Sequence, residues 1–185
     1  MLSLRAQIYL RVGMNGEFII PLNGLTTGQH LYEWKVGKEF FESFENSEIL
    51  DAELFASTSV EKSGRYLGVD CEVTGEVTVE CDRCLGDLKM PIDVEIRLSV
   101  KFGAEEQSDE HHEGEREVVS VSETDAEFDM SQIIYDYVCL ALPMQRIHDE
   151  GDCDPDALKH LSAGESVEAE ADENNPFSAL KDMFK

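Results

Sequence analysis

Two segments decide the fold: Val69–Cys81, which reads VDCEVTGEVTVEC, and Ile92–Phe102, which reads IDVEIRLSVKF. In both segments apolar residues alternate with polar or charged residues, so each segment has one apolar face. Such alternation is typical of antiparallel strands with one buried and one solvated face. The segment Leu50–Val60 carries its apolar residues at every second position in the same way. The centre of the chain therefore predicts an antiparallel sheet.

Shorter segments on both sides extend this pattern. Phe18–Leu22, Leu31–Val36 and Val118–Val121 have the composition of short strands. A helix is predicted after Asp129, which is placed to cap its first turn, and Pro143 ends it. The apolar stripe of this helix consists of Met130, Ile133, Ile134, Tyr137, Val138 and Ala141.

These elements predict an α+β fold. It consists of an antiparallel sheet, open or closed into a barrel, with one principal helix and an acidic flexible arm. Residues 1–160 are expected to form a single β-rich domain, and residues 161–185 an acidic linker with a short C-terminal amphipathic segment. Residues 104–129 are rich in acidic side chains, with Arg116 as the single base, and most of this stretch is expected to be a solvated loop.

The composition is strongly acidic. Forty Asp and Glu residues against fifteen Lys and Arg residues give the 185-residue chain a net charge of −25. Such a charge repels nucleic-acid backbones unless basic residues are gathered locally, and it attracts basic partners, ribosomal proteins among them. The sequence has no apolar run long enough to span a membrane, and its first residues lack the features of a signal peptide. We therefore expect a cytoplasmic protein with no membrane partner.

Four residues have the spacing of metal ligands. Cys81 and Cys84 are two residues apart after a predicted strand, and His148 and Cys153 follow the predicted helix. Two thiolates from one turn, with a histidine and a cysteine from another loop, can complete the tetrahedron that Zn²⁺ prefers. The other interpretation, that Cys81 is a core residue and Cys84 a turn residue, stays open.

Motifs of catalysis are missing from the sequence. It contains no glycine-rich phosphate loop, no Gly-x-Ser-x-Gly and no His-Glu-x-x-His. We therefore predict no enzymatic activity and no small-molecule substrate. A thiol-redox role for Cys81 and Cys84 is an alternative, although a typical redox pair opens a helix in a βαβ unit, which the pattern does not show.

Four basic residues could form a patch for RNA. Arg83 and Lys89 flank the turn between the two predicted strands, and Arg97 and Lys101 share one strand face because an even number separates them. The alternative is that these bases balance acidic residues on neighbouring strands.

Several of these motifs also occur in a known family. Cys81–Leu85 resembles the Cys-x-Arg-Cys-Leu signature of the YceD family, the large-subunit ribosomal RNA accumulation proteins. Phe128–Ile134 is similar to the start of the family's helix, and Leu140–Met144 resembles its Leu-Ala-Leu-Pro ending. Asn175–Lys181 is similar to the family's C-terminal tail, and the resemblance covers Gly68 to the C-terminus.

The resemblance implies a bacterial-type cytoplasmic factor for the accumulation of large-subunit rRNA, with a metal site and contact to nucleic acid. Together with the charge, it predicts a non-enzymatic accessory factor in large ribosomal subunit biogenesis. Its expected partners are precursor large-subunit rRNA, a basic ribosomal protein, or both. The alternative function is an acidic chaperone for a basic ribosomal protein.

Overall fold

The computed structural model of the protein describes residues 9–12, 18–45, 47–103, 112–113 and 116–164. The chain divides into two compact units, one made of residues 1–80 and 87–146, the other of residues 81–86 and 147–185. In chain order the elements are β1 (Tyr9–Val12), β2 (Ile19–Pro21), β3 (Gly28–Gly37), α1 (Lys38–Glu42), β4 (Ile49–Ser63), β5 (Tyr66–Glu80), β6 (Asp87–Phe102), β7 (His112–Glu113), β8 (Arg116–Val121), β9 (Glu127–Asp129), α2 (Ser131–Ala141) and α3 (Pro155–Gly164).

The first unit is built on a seven-stranded sheet in the order β1-β3-β4-β5-β6-β8-β7. The long central strands β3 to β6 are antiparallel, as the alternation predicts. The sheet as a whole is mixed, because β1 pairs with β3 and β8 with β6 in parallel. The prediction of an antiparallel sheet is therefore confirmed for the long central strands, while the outer pairs β1–β3 and β6–β8 are parallel. A separate two-stranded antiparallel sheet joins β2 to β9.

The sheet does not close into a barrel among the described strands, because β1 and β7 lie at its two ends and are not paired with each other. Alternation shows only that one face of a strand is buried. That face can be covered either by the sheet itself, when it closes into a barrel, or by helices packed on it. Here the helices contribute, since Phe41 of α1 and Ile134 and Val138 of α2 are buried in the same core cluster as the strand residues. The barrel-like form of the prediction is corrected accordingly.

Helix α2 is the predicted principal helix. It begins after Met130, one residue later than predicted, and the Asp129 carboxylate accepts a hydrogen bond of 2.8 Å from the backbone N–H of Ser131. It ends at Ala141, two residues before Pro143. Met130, Ile134 and Val138 are fully buried, while Ala141 is exposed. The helical stripe is confirmed except at its last member.

Strand β4 departs from the predicted alternation at its start. The register shifts between Ile49 and Asp51, so Ile49 is buried and Leu50 is 40% exposed. An extra residue in one strand turns the following side chains to the opposite face, which the sequence pattern does not reveal.

Gly75 marks the closest approach of two strands. Its φ is +143°, and a Cβ at this position would lie 2.2 Å from the backbone oxygen of Glu53 on β4. Only glycine fits this conformation and this space. The glycine therefore fixes the pairing of β5 with β4 at this point.

The second unit contains helix α3, which the sequence pattern did not predict. Asp154 caps α3, since its Oδ1 accepts the N–H of Asp156 at 2.9 Å and its carbonyl accepts the N–H of Leu158 at 3.1 Å. The acidic arm beyond residue 164 lies outside the described residues, and the division of the chain at residue 160 stays a prediction. In the described part of the chain, no helix is both long and apolar enough to cross a membrane.

Candidate metal centre

The second unit brings four potential ligands together from two loops. Cys81 and Cys84 lie in the turn 81–86, and His148 and Cys153 lie in the loop that precedes α3. One ligand atom from each residue can be chosen so that all four lie within 4.8 Å of one another. Cys81 and Cys153 are buried, and Cys84 and His148 are half-buried. This cluster could hold a metal ion.

Backbone hydrogen bonds shape the turn that carries the first two cysteines. The N–H of Cys81 donates to the carbonyl of Gly86 at 2.9 Å, and the N–H of Leu85 donates to the carbonyl of Cys81 at 2.9 Å. Leu85 has a φ of 59°, the left-handed region that non-glycine residues rarely adopt, and it is 72% exposed. The turn thus directs both thiols to one side and leaves an apolar side chain in solvent.

The second ligand loop is fixed at its end by the helix. The N–H of Asp152 donates to the carbonyl of Asp149 at 3.1 Å, which closes a turn just before Cys153. The cap formed by Asp154 follows at once. Cys153 is therefore held between a turn and a capped helix start, which limits the positions that its thiol can take.

Three of the six distances between the ligand atoms are close to the edges of a tetrahedral zinc site, and all six are within 4.8 Å. The Sγ atoms of Cys81 and Cys153 are 3.9 Å apart. His148 Nδ1 is 3.4 Å from the Sγ of Cys84 and 3.8 Å from that of Cys153. With Zn–S bonds of about 2.3 Å and Zn–N bonds of about 2.0 Å, a tetrahedron has edges of roughly 3.5 to 3.8 Å. Three cysteines and one histidine are also a donor set that Zn²⁺ commonly takes in closed structural sites.

Arg83 lies against this cluster rather than in open solvent. Its Nε donates to the Sγ of Cys153 at 3.0 Å, and its Nη2 donates to the backbone carbonyl of His148 at 3.3 Å. The guanidinium therefore joins the turn of Cys81 and Cys84 to the loop of the other two ligands. Its positive charge would also offset the net charge of −1 that three thiolates around a divalent ion would carry.

The thiols of the cluster ionise at different pH values. Burial opposes ionisation of Cys81, but backbone N–H groups from both loops, those of Arg83 and His148 among them, outweigh it and lower its pKa to about 6. The backbone N–H of Asp154 is the main cause of a lowered pKa at Cys84. Burial raises the pKa of Cys153, although the bond from Arg83 opposes this. Metal binding requires thiolates, and the lowered pKa values of Cys81 and Cys84 favour their thiolate forms.

The other two cysteines behave as packing residues. Cys71 is buried on the core face of β5, and burial raises its pKa to about 11. Cys139 is half-buried on α2, where burial likewise raises its pKa. Neither belongs to a group of potential ligands in the described part of the chain.

The remaining residues predicted to contact RNA lie along β6. Lys89, Arg97 and Lys101 are all exposed at odd positions of this strand, so they share its solvent face. Lys89 Nζ is 2.7 Å from the Glu76 carboxylate, and Arg97 Nη2 is 2.6 Å from the Glu95 carboxylate. Eight positions separate Lys89 from Arg97, about 27 Å along an extended strand. The three bases are thus spread along the strand, and Lys89 and Arg97 are bonded to neighbouring carboxylates.

Sequence reasoning missed two features of the centre, the bond from Arg83 to Cys153 and the exposed, left-handed Leu85. The only available signal for the first was that Arg83 lies between the two cysteines of the turn.

The open, mixed sheet with few helices makes the chain an α+β protein, and its Cys₃His cluster could hold a metal ion. The family model described as large ribosomal RNA subunit accumulation protein YceD matches residues 69–184. The chain belongs to the YceD family, which confirms the resemblance stated above. No curated protein and no solved structure matches the chain.

Proposed function

We propose that this chain is a non-catalytic accessory factor for the accumulation of large-subunit rRNA and that Cys81, Cys84, His148 and Cys153 hold a structural Zn²⁺. The observation that supports the metal is the convergence of these four ligands within 4.8 Å. The role in rRNA accumulation follows from membership of the YceD family, and such a role belongs to the cytoplasm.

The proposed ion would have a structural task. The four protein ligands leave no open position for a substrate or a water molecule, as is usual for closed zinc sites. The chain itself contributes two further elements, since Arg83 joins the two loops and Leu85 stands exposed beside them. The result would be a rigid surface on the second unit, suited to binding a partner.

For the partner we propose precursor large-subunit rRNA, a basic ribosomal protein, or both. Contact with RNA by Arg83, Lys89, Arg97 and Lys101 stays a prediction. The bonds of Lys89 and Arg97 to carboxylates count against it, because a phosphate would have to displace Glu76 and Glu95. The net charge of −25 supports the basic protein.

The test combines metal analysis with a genetic measurement. The wild-type chain, Cys84→Ser and His148→Ala would be purified and analysed for zinc, with Cys139→Ser as the matched control outside the cluster. Each variant would then replace the chromosomal copy, and the ratio of large-subunit to small-subunit rRNA would be measured.

We expect one zinc ion in the wild type and in Cys139→Ser, with a normal rRNA ratio. The two ligand variants should lack zinc and show a reduced share of large-subunit rRNA. A wild-type protein free of zinc and other metals, with a Cys81–Cys84 disulfide that forms reversibly, would replace the metal proposal with the thiol-redox alternative. A normal rRNA ratio without the gene would refute the role in accumulation.

A further inference from the structure

The solvent face of the central strands carries a regular arrangement of side chains. Residues directly opposite each other in antiparallel strands point to the same face. One row across β3 to β6 therefore consists of Glu33, Ser57, Glu72 and Glu95. The next row consists of Lys35, Phe55, Thr74 and Asp93. The row after it begins with Gly37 and continues with Glu53, Glu76 and Pro91.

These rows form an acidic surface with an aromatic centre, which we call the acidic face and define by Glu33, Glu53, Glu72, Asp93 and Phe55. All five side chains are exposed. Neighbouring strands are about 4.8 Å apart and neighbouring rows about 7 Å. By the register, Glu33, Glu53 and Glu72 are one row from Phe55 on the same or a neighbouring strand, and Asp93 is two strands away in the same row. None of these four makes an ion pair with another residue in the described ranges.

Phe55 is unusual for the solvent side of a sheet. It is 57% exposed, and its one cationic neighbour among the described residues is Lys35, whose Nζ lies 5.7 Å from the ring centroid. An exposed aromatic ring surrounded by charged groups is a common anchor of protein interfaces.

An open groove of about 580 Å³ begins one row away from Phe55, at Ser57 and Glu72. It is lined by Ser57, Ser59, Asp70, Cys71, Glu72, Glu95, Ile96, Arg97 and Arg116. Arg116 is bonded to Asp70 at 2.8 Å and Arg97 to Glu95 at 2.6 Å, whereas Glu72 has no such partner in the described part of the chain. The groove thus offers an unpaired carboxylate and two hydroxyl groups to a cationic side chain.

Other occupants fit this surface poorly. Carboxylates on three rows repel the phosphates of a nucleic acid. A second copy of the chain would bring another net charge of −25 against it. A bound metal ion is not favoured either, because the one group of potential ligands that converges in the described part of the chain is the Cys₃His cluster.

We propose that the acidic face binds an extended basic polypeptide segment, with an apolar side chain against Phe55 and arginine or lysine side chains near Glu33, Glu53 and Glu72. This inference concerns the sheet of the first unit and does not depend on a metal ion in the second.

The test uses the full chain and a labelled synthetic peptide in which arginine and leucine alternate, with binding followed by fluorescence anisotropy. The variants are Phe55→Ser and the double variant Glu33→Gln/Glu72→Gln. The matched control is Glu45→Gln/Glu127→Gln, which removes the same charge from exposed positions on a turn and on β9. Circular dichroism verifies that every variant is folded.

We expect each of the two face variants to weaken binding by roughly fivefold to tenfold, because exposed ion pairs and an aromatic anchor contribute modestly one by one. The control should stay within about twofold of the wild type, since net charge alone acts weakly at a distance when salt is present. Equal losses in the face variants and the control would overturn the proposal, since binding would then depend on net charge only. Binding of a single-stranded RNA oligonucleotide that competes with the peptide and is lost in Phe55→Ser would overturn it as well.

Discussion

Replacement of Arg83 by alanine tests whether this residue positions the metal ligands or serves as a contact for RNA. The substitution removes a hydrogen bond of 3.0 Å to the Cys153 sulfur and one of 3.3 Å to the carbonyl of His148. It also removes the positive charge beside the thiols. Loss of such a supporting interaction weakens metal affinity by about 10-fold to 100-fold, which corresponds to about 1.4 to 2.8 kcal/mol.

The assay is a competition for Zn²⁺ between the purified protein and a chromophoric chelator. Lys89→Ala is the matched control. Lys89 belongs to the same predicted RNA patch as Arg83, but it is bonded to Glu76 and not to the metal ligands. We expect the affinity of Arg83→Ala for zinc to fall by the stated factor and that of Lys89→Ala to stay unchanged. An Arg83→Ala affinity within about twofold of the wild type would refute the positioning role, since the effect expected of a supporting residue is at least tenfold.

Three further predictions concern stability and ionisation. Gly75→Ala should lower the free energy of unfolding by more than about 3 kcal/mol in urea, because the new Cβ would meet the backbone of β4 at 2.2 Å. Gly24 also has a positive φ, but a Cβ at this position would meet no atom within 4 Å. Gly24→Ala should therefore lower the free energy of unfolding by only about 1 kcal/mol, and equal losses in Gly24→Ala and Gly75→Ala would contradict the argument. Leu85→Gly should stabilise the protein by about 0.5 to 1 kcal/mol, because it relieves a left-handed φ at an exposed site, and a lower midpoint of unfolding would contradict this. Burial and a hydrogen bond to Glu117 raise the pKa of Tyr137 to about 12 from its ordinary 10.0, so its stabilising contribution is complete below pH 10.0 and is lost as the pH rises to about 12. Ultraviolet titration should therefore show a late phenolate step that disappears in Tyr137→Phe, and a Tyr137 that titrates near pH 10.0 would disprove the assignment.

The long strands could be predicted because burial of one face imposes a period of two on the sequence. The pattern failed where something other than local periodicity decides the structure. Leu50 is exposed because of an irregularity in the pairing of β4 with β5. The period of a strand does not encode the direction of its partner, so the parallel pairing of β8 with β6 could not be predicted. Helix α3 was missed because it is short and Leu158 and Leu161 are its only large apolar residues, too few to set a helical period.

The candidate site, like the fold, could be predicted only in part from the sequence. The spacing of Cys81 and Cys84 suggested one half of a metal site, and the position of His148 and Cys153 in a loop after the predicted helix suggested the other half. The structure brings the four residues together, while binding of a metal stays a proposal. The orientation of Arg83 could not be predicted, because a basic residue in a turn can face solvent or the thiols beside it. The position of the second loop, which offers Cys153 and His148 as acceptors, decides that Arg83 faces the thiols.

The distance in sequence between the two halves of the cluster has a consequence for biosynthesis. Cys153 follows Cys81 by 72 positions. At about 5 to 20 residues per second, a ribosome needs roughly 4 to 14 seconds to add them. During this interval the first two cysteines have been made but lack their partners, and they are open to oxidation or to capture by other metals. The strands β5 and β6 are both made before the second half of the site, so they can pair before the cluster can close. A metal ion bound by all four residues would then cross-link positions 81 and 153. A disulfide that closes a loop of similar length stabilises the folded state by about 4 kcal/mol.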